Sequence, residues 1–325
     1  MAYKSDKITC KLFVGVDVSK GFLDVHIDLD GRSTRFANDS VGIEALMAWL
    51  NQAGAIQRVI FEATGPYHRL FERTLDMAGF AMVKLNPYRA RKFAEVLGKL
   101  AKTDKIDAAM LARFGALMET EPRHVVSATL DELKELSNAR DALVKDRTSA
   151  GNRLEVAIYP FVKQQLIQTI AYLSAQILAL EAKQADVLKT DAELSAKAKI
   201  LVSIPGIGLT SAHVLLTQMP ELGTMDEGAI ANLAGLAPHA RESGTFKGPR
   251  SIRGGRGRAR KGLFYPAMSA KRWNPFFKAK FDALTKAGKP FKVAMTALMR
   301  KLLILANALL RDGRKWTKEK PAKAG

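Results

Sequence analysis

Four carboxylates in the first third of the chain have the types and spacing of a divalent-metal site. Asp17 lies inside an apolar stretch (VGVDVS), where an ionised group is costly unless a cation or hydrogen bonds compensate it. Glu62 ends a second apolar stretch (VIFEATG), and Asp104 and Asp107 lie three residues apart in KTDKIDA, so they share a face if that segment is helical. Oxygen ligands of this kind suit Mg²⁺ or Mn²⁺. Two such ions would stabilise the entering and leaving oxygens of a phosphoryl displacement.

Each of these acids also has an ordinary structural interpretation. Asp104 could cap a helix, Asp107 could be a solvated acid of its first turn, and Glu62 could be a plain charge at a strand end. Asp24 and Asp28 alternate with apolar residues on the following stretch and are weaker candidates. Taken separately, the acids do not establish a metal site.

A second candidate for chemistry is Ser243, between Glu242 and Gly244 in the segment RESGTFKGPRSIRGGRGRARKG. A serine hydroxyl that attacks a phosphodiester forms a covalent phosphoserine and conserves the energy of the bond for rejoining. A serine in such a segment is also compatible with a simple turn, so the residues alone support binding of nucleic acid and leave the nucleophile open. The candidate phosphate-binding residues here are Arg241, Lys247, Arg250, Arg253, Arg256, Arg258, Arg260 and Lys261.

The segment SIPGIG, at 203–208, is a third candidate. Together with the apolar stretch after it, it resembles the turn of a helix-hairpin-helix motif, whose backbone N–H groups hold a DNA phosphate. Gly206 and Gly208 are therefore candidate DNA-binding residues. A plain turn between two helices is the alternative.

The basic residues are concentrated near the C-terminal end. The net charge is +19, and residues 241–325 hold 23 Lys and Arg against 4 Asp and Glu, whereas residues 1–240 hold 28 of each. Basic residues concentrated in this way neutralise phosphates and release counterions. A solubilising tail is the alternative, but Leu, Phe and Trp interleave with the charges as they do in a folded domain.

The elements that would position the four carboxylates follow an α/β pattern. Apolar or alternating stretches predict strands, and apolar residues at helical spacing predict helices. The predicted strands are 12–18, 22–29, 33–38, 58–62 and 82–85, and the predicted helices are 42–53 and segments after Gly65-Pro66, beyond Pro87 and beyond Asp104. Three strands, then helix, strand, helix, strand and helix, is the order of the ribonuclease H-like fold, and other α/β folds share parts of this order.

The middle of the chain changes to a heptad pattern. Positions from Leu166 to Val187, apolar except for Gln184, step by four and three residues. The positions from Leu133 to Leu154 follow the same spacing with two arginines among them. Pro160 separates the two stretches. They predict long helices that fold back as an antiparallel hairpin or pair between subunits.

These patterns divide the chain into three predicted parts and exclude some classes of protein. The parts are a metal domain at 1–125, a helical coiled-coil arm at 126–199 and a basic, mostly α domain at 200–325. Within the last part, the sequence predicts a Gly- and Arg-rich loop at 241–262 and amphipathic helices near 262–285 and 290–311. The single cysteine, Cys10, excludes an internal disulfide framework and a Cys-based zinc site. The N-terminus has no apolar leader and no apolar run approaches ~18–20 residues, so we expect a cytoplasmic protein without a membrane partner.

Seven segments spread over nearly the whole chain carry a family resemblance. They are VGVDVSK, FANDSVGIEALMAWL, FEATGPYHRLFERTLDMAGF, NPYRARKFAEVLGKLAKTDKIDAAMLA, LVSIPGIGLTSAHVLL, LAGLAPHARESG and KLLILANALLRDGRKW. In this order they resemble the DEDD transposases of bacterial insertion sequences (insertion-sequence family one-ten), which have the pilin-gene invertase as a relative.

The resemblance implies a function and roles for five residues. The first domain is expected to be similar to a Holliday-junction resolvase, with Asp17, Glu62, Asp104 and Asp107 as Mg²⁺ ligands. The last is expected to be a transposase domain with Ser243 as nucleophile, in a composite site built between subunits of a dimer or tetramer. The expected partners are DNA of the element ends and target and a structured non-coding RNA that pairs with both.

Two alternatives come from other classes. In a structure-selective nuclease, the four acids would cut DNA with metal-activated water and Ser243 would be structural. In a non-enzymatic nucleic-acid-binding protein, the acids would serve folding only, and the substrate would never change.

Overall fold

The computed structural model describes residues 11–62, 65–98, 104–122, 127–240, 242–248 and 250–317, apart from the side chains of 104–106 and 246. The chain divides into two compact units, residues 1–125 and residues 126–325. The first is mixed α/β and the second is mostly helical.

A mixed five-stranded sheet forms the centre of the first unit. Its strands are β1 (Leu12–Val18), β2 (Phe22–Ile27), β3 (Ser33–Ala37), β4 (Ile56–Glu62) and β5 (Met82–Leu85). They lie in the order β3-β2-β1-β4-β5; β2 is antiparallel to β1 and β3, whereas β4 is parallel to β1 and β5. The helices are α1 (Ser40–Ala53), α2 (His68–Met77), α3 (Pro87–Val96) and α4 (Asp104–Leu117). All the predicted strands and helices of this unit are confirmed, two of the strands with the same bounds.

Two glycines allow α4 to lie directly on the sheet. A Cβ atom on Gly15 of β1 would overlap the backbone of Ala108 and Ala112, and a Cβ atom on Gly115 would overlap Ile60 of β4. The face of β1 and β4 that carries these residues is therefore covered by α4 at close range.

The second unit consists of nine helices and two short ribbons in its described residues. The helices are α5 (Ala128–Val156), α6 (Pro160–Thr190), α7 (Ala192–Val202), α8 (Leu209–Gln218), α9 (Glu227–Leu233), α10 (Gly257–Gly262), α11 (Phe264–Trp273), α12 (Pro275–Lys286) and α13 (Phe291–Arg311). Strands β6 (Pro238–His239) and β9 (Ser251–Ile252) form one ribbon, and β7 (Glu242–Ser243) and β8 (Phe246–Lys247) form the other.

The heptad segments form the long helices α5 and α6, which pack against each other within the chain. Arg140 Nε donates to Glu181 Oε1 at 2.6 Å, and Gln184 Nε2 donates to Ser137 Oγ at 3.1 Å. Partners early in α5 are late in α6, so the two helices are antiparallel, as one of the two predicted arrangements required.

Two predictions for the C-terminal part need correction. The single helix expected near 262–285 is two helices, because Asn274 caps the N-terminus of α12 with its side chain and Pro275 occupies the first helical position. The segment expected as a loop at 241–262 contains three short strands and α10.

Helix α13 is the core helix of the second unit. It is long and apolar enough to cross a membrane by length and composition alone, but half of that stretch is buried inside the protein. Leu298, Leu302 and Leu303 are completely buried in the main hydrophobic cluster of this unit. Its apolar character therefore has an explanation in the packing of the protein.

Candidate functional site

Asp17 and Glu62 lie at the same edge of the sheet, where the neighbouring parallel strands β1 and β4 end. Val16 pairs with Phe61, so Asp17 and Glu62 each follow one residue beyond a matched pair. Adjacent parallel strands are about 4.8 Å apart. Both side chains are half-buried.

The two carboxylates are on the face of the sheet that α4 covers. Gly15 and Ile60 contact α4, and Asp17 and Glu62 each follow two residues later, so they have the same orientation. Phe13 is close to Gly115, late in α4, whereas Gly15 is close to Ala108. The helix therefore runs antiparallel to β1. Asp17, two residues after Gly15 on β1, is accordingly at the end of the strand that is nearer to the first turn of α4.

That first turn of α4 carries the other two candidate ligands. Asp107 is half-buried, and the side chain of Asp104 lies outside the described residues. Among the described side chains, no group of three or more His, Cys, Asp or Glu is arranged to hold a metal ion. Asp17, Glu62 and Asp107 alone thus do not form a ready-made cluster, but their oxygen donors and their common end of the sheet fit Mg²⁺ or Mn²⁺.

The weaker candidates Asp24 and Asp28 are held by arginines. Arg35 donates two hydrogen bonds of 2.9 Å to the carboxylate of Asp24, and Arg113 Nη1 lies 3.2 Å from Asp28 Oδ2. Asp24 lies directly opposite Asp17 in the antiparallel pair β1–β2. Its charge is already compensated by Arg35, which explains an acid at this position without a metal ion.

Asn38 connects the two segments that follow the carboxylate-bearing strands. Its Nδ2 donates to the carbonyl oxygen of Ser19 at 2.8 Å and to that of Tyr67 at 3.1 Å. Its Oδ1 is buried and has no hydrogen-bond partner among the described residues. Sequence reasoning did not single out this residue, although it lies in the segment FANDS of the resemblance.

Ser243 lies at the exposed end of a tight ribbon. It pairs with Phe246 across a two-residue turn whose first residue, Gly244, has φ +54°. This left-handed conformation costs glycine little and is typical of such hairpin turns. Ser243 is exposed, and its hydroxyl makes no hydrogen bond within the described part of the chain.

The basic residues around Ser243 fall into two groups. Three are bonded within the protein: Arg256 to Glu221 in a two-fold contact of 2.6 and 2.7 Å, Arg258 to Asn138, and Arg260 to the carbonyl oxygens of Gly235 and Gly254. The others are exposed and form no ion pair among the described residues: Lys247, Arg250, Arg253 and Lys261. Arg241 lies outside the described residues.

Gly206 and Gly208 have different surroundings in the turn between α7 and α8. Gly206 has φ +101°, and a Cβ atom there would lie 2.8 Å from the backbone nitrogen of Ala270 in α11. Gly208 is in open space and precedes α8 without a side-chain cap. Packing and backbone conformation explain Gly206, whereas the N–H groups behind Gly208 are open to an anion.

Comparison with known proteins gives two family matches within this chain. Residues 14–159 match a model described as a transposase, of the DEDD type of IS110, and residues 198–282 match the transposase family of IS116, IS110 and IS902. The first match contains all four candidate metal ligands, and the second contains Ser243 and the glycines of the α7–α8 turn.

Individual relatives match in the same sense. The chain is 28% identical over 323 residues to pilin gene-inverting proteins of Moraxella bovis and Moraxella lacunata, which covers 95% of this chain and 98% of theirs. It is 31% identical over 125 residues to an uncharacterized protein of insertion element IS110 from Streptomyces coelicolor, which covers 38% of this chain and 31% of that protein.

Proposed function

This chain belongs to the IS110 family (insertion-sequence family one-ten) and is a DNA transposase or recombinase. We propose that it cuts and rejoins DNA through a phosphoserine formed by Ser243. The observation that carries the proposal is the position of Ser243, exposed at the end of the β7–β8 ribbon with unpaired cations in the adjoining segment. A nucleophile for a bulky polymer must be reachable in this way, and cations beside it would hold the phosphates on each side of the scissile bond.

The chemistry balances without an external energy source. Ser243 Oγ attacks phosphorus, the Oγ–P bond forms, and the P–O3′ bond breaks, so that the hydroxyl proton ends on the freed 3′-oxygen. After strand exchange, a 3′-hydroxyl attacks the phosphoserine, the Oγ–P bond breaks, and the serine recovers its proton. Because each step exchanges one phosphoester for another, no ATP is required.

We place a divalent metal, Mg²⁺ or Mn²⁺, at the carboxylate edge of the first sheet. Asp17, Glu62, Asp104 and Asp107 would hold it, and the DEDD type of transposase that the chain matches implies such metal use. When bound, the metal would stabilise negative charge on the reacting phosphate. The two hydrogen bonds that Asn38 donates connect the segments after β1 and β4, and they would keep Asp17 and Glu62 at a constant separation.

The architecture supports finer parts of the proposal. The strand order β3-β2-β1-β4-β5, with β2 antiparallel and β4 parallel to β1, favours a ribonuclease H-like first domain, similar to a Holliday-junction resolvase. The antiparallel pair α5–α6 favours a coiled-coil arm, and the open N-terminus of α8 favours a helix-hairpin-helix-like contact with DNA phosphates. We retain the division into domains at 1–125, 126–199 and 200–325.

The proposed partners follow from the family and the charge. We propose that the enzyme works in the cytoplasm as a dimer or tetramer and joins element ends to target DNA. A structured RNA of the element would choose the sites by pairing. The Moraxella relatives are named for inverting a pilin gene, so inversion of a DNA segment is a second outcome of the same cutting and joining.

A product assay tests the proposal. Purified protein, Mg²⁺, RNA transcribed from the element's flanks and supercoiled DNA carrying the element should give a joined circle of the excised element. Ser243→Ala should give neither the circle nor broken strands, whereas Thr245→Ala, which removes a hydroxyl two residues away on the same ribbon, should give both circle and donor product. Broken, unjoined strands from Ser243→Ala would support the nuclease alternative instead.

A further inference from the structure

A groove of about 880 Å³ lies in the second unit beside the foot of the β6–β9 ribbon. Its walls come from Pro238 and Ile252 on the two strands, from Phe264 and Tyr265 at the start of α11, and from the first turns of α13. Sites for small molecules and cofactors occupy roughly 300–1,000 Å³, so the groove has the size of a binding site. Neither the acidic tetrad nor Ser243 lines it.

The walls of the groove are apolar and one of them is aromatic. Tyr265 is 79% exposed and Phe264 is 37% exposed, with their rings in an edge-to-face contact at 5.5 Å. Val293 on α13, which also lines the groove, is 51% exposed. Exposed aromatic rings cost solvation free energy in the free protein, and a flat apolar ligand would remove that cost by stacking.

The groove is also strongly cationic. Five of the residues that line it are basic and none is acidic: Arg250, Arg260, Lys261, Lys292 and Arg300. Arg260 is bonded to backbone carbonyls, but the other four form no ion pair within the described part of the chain. An anionic ligand in the groove would compensate the charges of these four residues.

We infer that this groove holds an unpaired nucleotide of the DNA strand that Ser243 attacks, with the base against Tyr265 and the phosphate near Lys292 and Arg300. A nucleotide combines a flat, largely apolar base with an anionic phosphate, which matches apolar walls and unpaired cations. Stacking on an aromatic side chain is the usual way in which proteins hold single-stranded bases without regard to sequence.

The commitment to DNA rests on the proposed function. Ser243 lies on the β7–β8 ribbon, which is inserted between β6 and β9, and both of these strands contribute to the groove. The strand held beside Ser243 is therefore the one that would reach the groove. An unpaired base next to the cut would leave its complement free to pair with a different strand.

Equilibrium binding of short oligonucleotides tests the inference separately from catalysis. The full chain with Ser243→Ala would be titrated with a single-stranded oligodeoxynucleotide, and with a copy of equal length whose bases are replaced by abasic sites. Tyr265→Ala should weaken binding of the normal strand by about 5- to 150-fold, the range for loss of one base–aromatic stack, and leave the abasic strand unaffected. Lys292→Ala should weaken both, because it acts on the phosphate.

Two further variants control for folding and position. Tyr265→Phe should bind like the parent, since it keeps the ring. Tyr172→Ala removes another exposed tyrosine, 64% exposed on α6, that does not line the groove. Equal effects of Tyr265→Ala and Tyr172→Ala, or equal loss for normal and abasic strands, would overturn the inference. Tighter binding of RNA of the same sequence, or a change of oligomeric state with Tyr265→Ala, would assign the groove to another occupant. The binding measurement involves no covalent step. A negative result would therefore not bear on the proposed role of Ser243, and the binding test would remain valid if no phosphoserine were found.

Discussion

Asp17 and Asp24 lie opposite each other on β1 and β2, yet their environments differ at the scale of single residues. Arg35 binds Asp24 through two hydrogen bonds. Asp17 shares its end of the sheet with Glu62 and lies on the face covered by α4. In the proposed site a bound cation would compensate the charges of Asp17 and Glu62, whereas Arg35 supplies the compensating charge at Asp24.

Conservative neutralisation of the two acids should therefore have different effects. Asp17→Asn should lower metal-dependent cleavage by about 100-fold or more, because several kcal/mol of charge stabilisation depend on the metal ligand. Asp24→Asn should lower it by less than about 10-fold, since the lost contact is a partly exposed ion pair. Cleavage rates at saturating Mg²⁺ measure both, and equal losses would contradict the assignment of Asp17 as a ligand.

The sequence indicated residue types at this scale but not their partners. The apolar context of Asp17 pointed to a compensated charge, whereas the pairing of Asp24 with Arg35 depends on the register of β2 and β3, 11 residues apart in sequence. Asn38 was missed because a bridge between two loops has no periodic signal. The predicted role of Ser243 came from the family resemblance alone, since a serine before Gly244 is typical of a turn.

At the scale of elements, the close packing of α4 against β1 depends on the absence of a side chain at Gly15. Gly15→Ala would force its Cβ into the backbone of Ala108 and Ala112, which cannot rotate away. We expect a loss of about 1–3 kcal/mol in the free energy of unfolding, together with lower cleavage activity, because the helix carries two of the proposed ligands.

Urea denaturation measures this effect. Gly21→Ala is the matched control, since no heavy atom lies within 4 Å of the position of its Cβ. Equal stability of the two variants would mean that α4 does not depend on close contact with β1.

A buried polar network joins the arm to the helices beside it. Gln184 of α6 donates to Ser137 of α5 and lies 3.3 Å from Nδ1 of His213 on α8. Burial, aided by the charge of Arg140 and opposed by Glu181, lowers the pKa of His213 below its usual value of 6.5. The heptad pattern predicted the helices, but it could not show that Gln184 faces a histidine 29 residues away.

This network should make stability dependent on pH in a particular direction. As the pH falls below about 6.5 the unfolded chain takes up a proton at His213 before the folded protein does, so the free energy of unfolding decreases. The contribution is fully present above that pH and is lost below it. When the pH falls from about 7.5 to about 5.5, the free energy of unfolding should decrease less in His213→Asn than in the wild type. The difference between the two decreases should be smaller than about 1.4 kcal/mol. Urea unfolding at both values measures it, and an unchanged or larger decrease would show that His213 is protonated in the folded protein.

Element boundaries were predictable where local chemistry decides them. Strands β1 and β5 have the predicted bounds because apolar runs and turn residues define both ends. Helix α1 begins at Ser40, two residues earlier than predicted, because the Asp39 side chain caps it. The ribbons β6–β9 and β7–β8 have two residues per strand, which is too short for any pattern of alternation.

For the whole molecule, the excess positive charge lies in residues 241–325. Four basic residues near Ser243 are exposed and form no ion pair among the described residues: Lys247, Arg250, Arg253 and Lys261. Affinity for DNA should therefore decrease linearly with the logarithm of salt concentration. Lys247→Ala, on the Ser243 ribbon, should reduce the magnitude of that slope by about one and weaken binding to all sequences alike. Lys145→Ala on α5 is the control. Equal changes in slope for both variants would show that the ribbon is not a preferred contact.

Covalent trapping on a denaturing gel tests the central claim most directly. Wild type, Ser243→Ala, Thr245→Ala and Asp17→Asn would each be mixed with Mg²⁺, the element's RNA and end-labelled junction DNA, then denatured. We expect a labelled protein–DNA adduct with wild type and Thr245→Ala, and none with Ser243→Ala or Asp17→Asn. Cleavage without an adduct, unchanged in Ser243→Ala and lost in Asp17→Asn, would contradict the account and identify a metal-dependent nuclease.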